Sequence, residues 1–241
     1  MFKSATYSKI LIWVTLFGIA MAYLESAIVV YLRALMYPGG FDFPLVMVEK
    51  QIIITEVFRE VSTIVILLAI STITGKYFVE RFAWFIYCFG VWDIFYYVFL
   101  KILIGWPESF MTWDVLFLVP VTWIGPVITP VITSFTMILL AGFIIWFSSR
   151  NIKVIIKWQE WVLLLTGSLI LIIGWSWDYT RFILKHVSIS DLFSFSNKNA
   201  LYEFVQMYVP ESFNWILYWV GELVILSGIG IFFFRYRKEI S

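Results

Sequence analysis

Cysteine and histidine are almost absent from these 241 residues, which hold one of each, Cys88 and His186. A single cysteine excludes an intrachain disulfide and a cysteine-based metal centre, and a single histidine excludes a multi-histidine metal site or a bis-histidine haem. Charge is also scarce. Lys, Arg, Asp and Glu make up 14% of the chain, against about a quarter of a soluble domain. The net charge of +1 gives no electrostatic footprint for a nucleic-acid partner. There is no nucleotide-binding glycine loop, no metal signature and no Ser/His/Asp set, so neither a metal nor a cofactor is expected and no motif fixes a reaction.

What is present is apolar surface. Hydrophobic residues make up 62% of the chain and aromatics 21%, with 13 Trp. The mean hydropathy is +0.92. A soluble protein of this size could not bury so much, so lipid must cover part of it. The tryptophans exceed what two interfacial belts need.

Six apolar segments are long enough to cross a bilayer: Ile10–Leu35, Ile52–Thr74, Phe82–Ile104, Pro126–Phe147, Trp161–Leu184 and Phe213–Phe234. Each holds about 20 residues or more, which at ~1.5 Å per residue matches a ~30 Å hydrocarbon core. The expected fold is therefore an all-α polytopic bundle, a single transmembrane domain over residues 1–241. The short piece Val115–Val121 before the fourth span, broken by Pro120, Gly125 and Pro126, reads as a kinked lead-in to that helix or as a re-entrant segment.

Basic residues orient the chain. With the N-terminus cytoplasmic, the inner side holds Lys3, Lys9, Lys76, Arg81, Arg150, Lys153, Lys157, Arg235, Arg237 and Lys238, and the outer side holds Arg33, Lys50, Lys101, Lys185 and Lys198. That two-to-one bias predicts both termini cytoplasmic, in a cell membrane of the bacterial inner-membrane type. The first helix reads as retained, because its apolar run continues to Met36; Lys3 and Lys9 followed by Ala20-Met21-Ala22 leave a cleaved signal peptide as the alternative. Gly18, Ala22 and Ser26 form a small-residue ridge suited to helix packing. Asp42 before Pro44 reads as the start of the second helix. In the last outer loop, Leu201, Phe204, Val205 and Tyr208 fall on one face of Asn199–Met207, which predicts a short interfacial helix.

The informative feature is a layer of acids. Counted from each helix's inner end, Glu25 comes roughly 23 Å up, Glu60 roughly 20 Å, Asp93 roughly 17 Å and Glu222 roughly 20 Å. Glu56 lies one turn from Glu60, with Arg59 beside them. Each charge facing lipid would cost at least ~2.5–3.5 kcal/mol, so the acids are expected to face inward. Along the third helix Asp93 and Tyr97 align with Lys101. On the fifth, Trp175, Asp178 and Arg181 align, and on the sixth Trp215, Tyr218, Trp219 and Glu222. The pattern describes an aromatic-walled, carboxylate-lined pocket in the outer half of the bilayer. Glu60, Glu222 and Asp93 are the candidate catalytic acids. Glu25, Glu56, Arg59, Tyr97, Asp178, Arg181, Trp215 and Trp219 are the candidate substrate-binding residues.

Carboxylates in such a site can exchange protons with an apolar substrate while aromatic faces stabilise developing positive charge. The reading is acid/base chemistry on a lipid-like or isoprenoid-like ligand. The alternatives are a non-catalytic subunit of a membrane complex and a small proton- or cation-coupled carrier. Expected partners are membrane lipids, further copies of the chain or the subunits of such a complex, with no nucleic acid.

Overall fold

The computed structural model of the chain describes residues 2–46, 49–118, 121–150, 152–186 and 207–238. Its described helices are α1 (Phe2–Met36), α2 (Lys50–Thr74), α3 (Phe78–Ile104), α4 (Ile128–Ser149), α5 (Trp158–His186) and α6 (Trp215–Arg237). Five of them, all but α2, are long and apolar enough to cross a membrane. The helix is the form in which a lone apolar segment satisfies every backbone group within itself, so a membrane-embedded bundle follows from these runs.

Helix α3 is central. α1 runs parallel to it and is pinned along its length: Tyr7 donates to Glu80 at 2.6 Å, Thr15 and Tyr87 share a hydrogen bond at 2.7 Å, and Ser26 donates to the Tyr96 carbonyl at 3.0 Å. The Gly18–Ala22–Ser26 ridge faces α3. A Cβ added at Gly18 would lie 3.0 Å from Val91, and Ala22 and Ser26 are fully buried. α2 and α4 pack on other sides of α3. α5 and α6 form a close pair, because Gly167 and Gly221 bring the two backbones together; a Cβ on either would come within 3.0 Å of the other's carbonyl oxygen.

The departure from helix is an antiparallel hairpin between α3 and α4, β1 (Trp113–Phe117) with β2 (Trp123–Pro126). The segment expected as a kinked lead-in to the fourth helix thus pairs with itself. It folds back onto the bundle, and the Leu118 N–H donates to both Glu60 oxygens, at 3.2 and 3.0 Å. The expected helix start at Asp42 is also corrected: α2 begins at Lys50. Asp42 accepts from the adjacent Phe43 N–H, and the Val46 N–H is taken by the Tyr37 hydroxyl. Phe41 packs edge-on against Trp106, so this stretch caps the hairpin end of the bundle as an irregular loop. The interfacial helix expected over Asn199–Met207 lies outside the described residues, apart from Met207.

Candidate functional site

At the hairpin end, α1, α2, α3 and β1 enclose a polar chamber of about 170 Å³. Its lining includes Glu25, Glu56, Arg59, Glu60, Asp93 and Tyr97, which brings together six of the sequence-predicted site residues. Arg59 joins α2 to α1: it pairs with Glu25 and, at 2.7 Å, with Glu56 one turn away on its own helix. Thr63 supports Glu25 from the next turn. Glu60 is buried and holds the hairpin through Leu118.

Two further charged residues complete the chamber. Arg33 near the end of α1 pairs with Asp114 of β1 at 3.1 Å, and Tyr97 donates to the other Asp114 oxygen at 3.2 Å. The Arg33 guanidinium carbon lies 3.7 Å from the Trp106 ring centroid and 4.3 Å from that of Phe41. Burial pushes the Asp114 carboxyl up to about 6, against the lowering influence of Arg33, Tyr97 and the Val115 N–H. The sequence reading assigned Arg33 to a helix end and passed over Asp114. One signal was available: Trp113-Asp114 is a third Trp-Asp dipeptide beside Trp92-Asp93 and Trp177-Asp178.

Behind the chamber lies a second cavity of about 190 Å³ between α3, α4, α5 and the hairpin. Its walls are aromatic and aliphatic: Phe89, Phe117, Trp123, Met137, Leu171 and Trp175 line it, with Thr133, Ser134 and Ser168 as the hydroxyls. Trp123 and Trp175 stack at 5.5 Å with planes 19° apart, and Trp175 donates to Thr129 at 2.9 Å. Trp92, Asp93, Leu116 and Phe117 line both cavities, so they form the wall between them. Asp93 is the carboxylate in that wall. Ser134 donates to it at 2.7 Å, and among the described residues it forms no ion pair.

Glu222 is not in the chamber. It is almost fully buried where α6 meets α4, and it accepts from Thr133 and from Thr136 at 3.0 Å, while the Tyr218 hydroxyl, which donates to the Thr129 carbonyl at 2.9 Å, lies 3.4 Å away. Thr133 itself lines the aromatic cavity, so Glu222 stands one hydroxyl behind that wall. Asp178 accepts from the buried Tyr208 at 2.9 Å, which ties the residues before α6 to α5. Burial first and Asp178 second raise the Tyr208 phenol above its ordinary range. Arg181 is exposed, Trp215 packs edge-on against Phe213 and Tyr218, and Trp219 is half exposed beside Tyr218. None of these four lines either cavity.

An open vestibule of about 700 Å³ adjoins the chamber from the loop side, and Arg33, Tyr37 and Phe41 line both. Among the described residues no group of three His, Cys, Asp or Glu is placed to hold a metal ion. Comparison with protein-family models, with curated proteins and with solved structures finds no match to this chain.

Proposed function

We propose that the chain is a multi-pass cell-membrane protein that carries out acid/base chemistry on a lipid-like or isoprenoid-like amphiphile held across the two cavities. In this reading α2 is a sixth span, the whole chain is one transmembrane domain, both termini are cytoplasmic and the hairpin end faces outward, as the distribution of Lys and Arg favours. The observation that carries the proposal is Asp93 in the wall between a charged chamber and an aromatic cavity. A polar head in the first and an apolar chain in the second would need the Trp92, Asp93, Leu116 and Phe117 side chains to part and would lay the carbons nearest the head beside that carboxyl.

The chemistry follows from charge. Glu25, Glu56, Glu60, Asp93 and Asp114 face two guanidinium groups, Arg33 and Arg59, in the chamber lining. Such a site reaches neutrality only by holding protons or a cation, since unpaired charge in this environment is costly. Asp93 is the proton-transfer group, Ser134 orients it, Glu60 supplies a second carboxyl, and Trp92, Phe117, Trp123 and Trp175 offer ring faces to developing positive charge. Glu222 acts through Thr133 as a positioning residue.

The test is mass spectrometry of lipids extracted from wild-type and Asp93→Asn protein purified with its surrounding bilayer. A species enriched over bulk lipid, and differing in mass or amount between the two proteins, is expected. Identical profiles matching bulk lipid for both proteins would overturn the proposal. A proton- or cation-coupled carrier is the second reading, favoured by the vestibule that meets the chamber at Arg33, Tyr37 and Phe41. Substrate-dependent proton flux in proteoliposomes, without chemical change of the substrate, would decide for it.

A further inference from the structure

Arg33 is the least satisfied charged residue of the chamber. It is nine-tenths buried, and one amino nitrogen is taken by Asp114. The other, Nη1, has no hydrogen-bond partner among the described residues. Its ring contacts with Trp106 and Phe41 cover the cation with carbon and supply no acceptor oxygen. The Trp92 indole N–H, in the same lining, is likewise buried without a partner. Buried donors of this kind are normally matched, by protein, bound molecule or water, so each of these N–H groups is placed to take an acceptor.

Charge decides what kind of acceptor. An anionic head such as a phosphate would add negative charge to a lining in which five carboxyl groups already face two guanidinium groups, and every added charge would need a further proton or cation to match it. A cationic head would suit the carboxylates but would be repelled by Arg33 and leave its N–H unmatched. An uncharged oxygen meets both conditions. We infer that the chamber selects an apolar chain ending in an uncharged oxygen acceptor, of the alcohol or carbonyl class, and that Arg33 Nη1 donates to that oxygen. Arg33 lines the vestibule as well as the chamber, so it stands where an arriving head first meets the site. This rests on the amphiphile-binding reading above and adds to it the chemical class of the head.

The experiment measures affinity of the purified full chain in nanodiscs for one prenyl chain carrying in turn a hydroxyl, a phosphate monoester, an ammonium or only hydrogen. The hydroxyl form should bind most tightly, by about tenfold over the hydrocarbon, as one hydrogen bond from a charged donor allows. Arg33→Met alone would strand Asp114, so the variant is Arg33→Met combined with Asp114→Asn. It should bind the hydroxyl form no better than the hydrocarbon, while retained hydrocarbon binding shows that the cavities persist. Phosphate or ammonium binding as tight as hydroxyl binding would overturn the inference and spare the amphiphile reading. So would an undiminished hydroxyl preference in the double variant. Failure of the wild type to bind any of the four chains would overturn both.

Discussion

Thr133 and Ser134, successive residues of α4, donate their hydroxyls in two directions: Thr133 to Glu222 on α6, and Ser134 to Asp93 on α3. One turn of α4 therefore ties together two carboxylates that the sequence placed at similar depth on separate helices. Both hydroxyls also line the aromatic cavity.

Glu222 shows how a buried carboxylate is held here without an ion pair among the described residues. Two threonine hydroxyls hold it and the Tyr218 hydroxyl lies 3.4 Å away, so losing one should matter little. Thr133→Val is expected to change stability by about 1 kcal/mol or less. Thr133→Val, Thr136→Val and Tyr218→Phe together leave the carboxylate unmatched and should cost about 3–5 kcal/mol. Adding Glu222→Leu to that triple variant should recover a large part of the loss. Unfolding in detergent checks the series, and a triple variant as stable as wild type would refute the account.

The Glu25–Arg59–Glu56 group is the converse case, in which two carboxylates depend on one cation. Arg59→Met should destabilise by about 3–5 kcal/mol, because it leaves two mostly buried acids without their partner. Glu25→Gln in the Arg59→Met background should restore stability in part. A double-mutant cycle gives the coupling directly. Strictly additive effects would mean that the pair contributes nothing.

At the opposite end of the bundle, Arg235 of α6 donates to both oxygens of Glu160 on α5, at 2.8 and 2.7 Å, and Glu160 also accepts from the Lys157 N–H. The partners differ in burial: the Glu160 side chain is 1% exposed and that of Arg235 19%. A stranded Arg235 can extend toward water, whereas a stranded Glu160 cannot. Arg235→Met should therefore cost more stability than Glu160→Gln, by about 1–2 kcal/mol. Thermal unfolding of the two variants side by side gives the order.

The helices were legible because an apolar run of about 20 residues has few alternatives in lipid. Glu25, Glu60 and Asp93 were legible as neighbours because depth is a count of residues along a helix. Rotation about the helix axis is not such a count. Glu222 faces α4 because the contact of Gly167 with Gly221 fixes how α6 turns, and that contact joins positions far apart in sequence. The hairpin was hidden for a similar reason. Its strands are short, and the group that holds its tip is Glu60, 58 residues away. Arg33 read as a helix-end cation because its partner Asp114 is 81 residues distant.

That distant pair gives a pH prediction. Burial raises the Asp114 carboxyl from its ordinary 3.8 to about 6 in the folded protein. Between those values the folded state holds a proton that the unfolded state has released. Asp114 thus contributes its full stabilisation below pH 3.8 and loses it as pH rises through about 6. A shift of about two units corresponds to on the order of 3 kcal/mol. The carboxyl is only 2% exposed, so solvent screening removes little of this. In the same window the Arg33–Asp114 contact changes from a guanidinium hydrogen bond to a neutral carboxyl into an ion pair, which supplies the lowering influence that burial overcomes. Asp114→Asn keeps one oxygen acceptor, toward Arg33, turns an amide N–H toward the Tyr97 hydroxyl oxygen, which can accept it, and does not titrate. The stability of wild type minus that of Asp114→Asn should therefore fall as pH is raised from about 4 to about 7. A difference that rises over this range would mean that the Arg33 charge outweighs burial and that Asp114 titrates below its ordinary value. Denaturant unfolding in detergent at several pH values decides the sign.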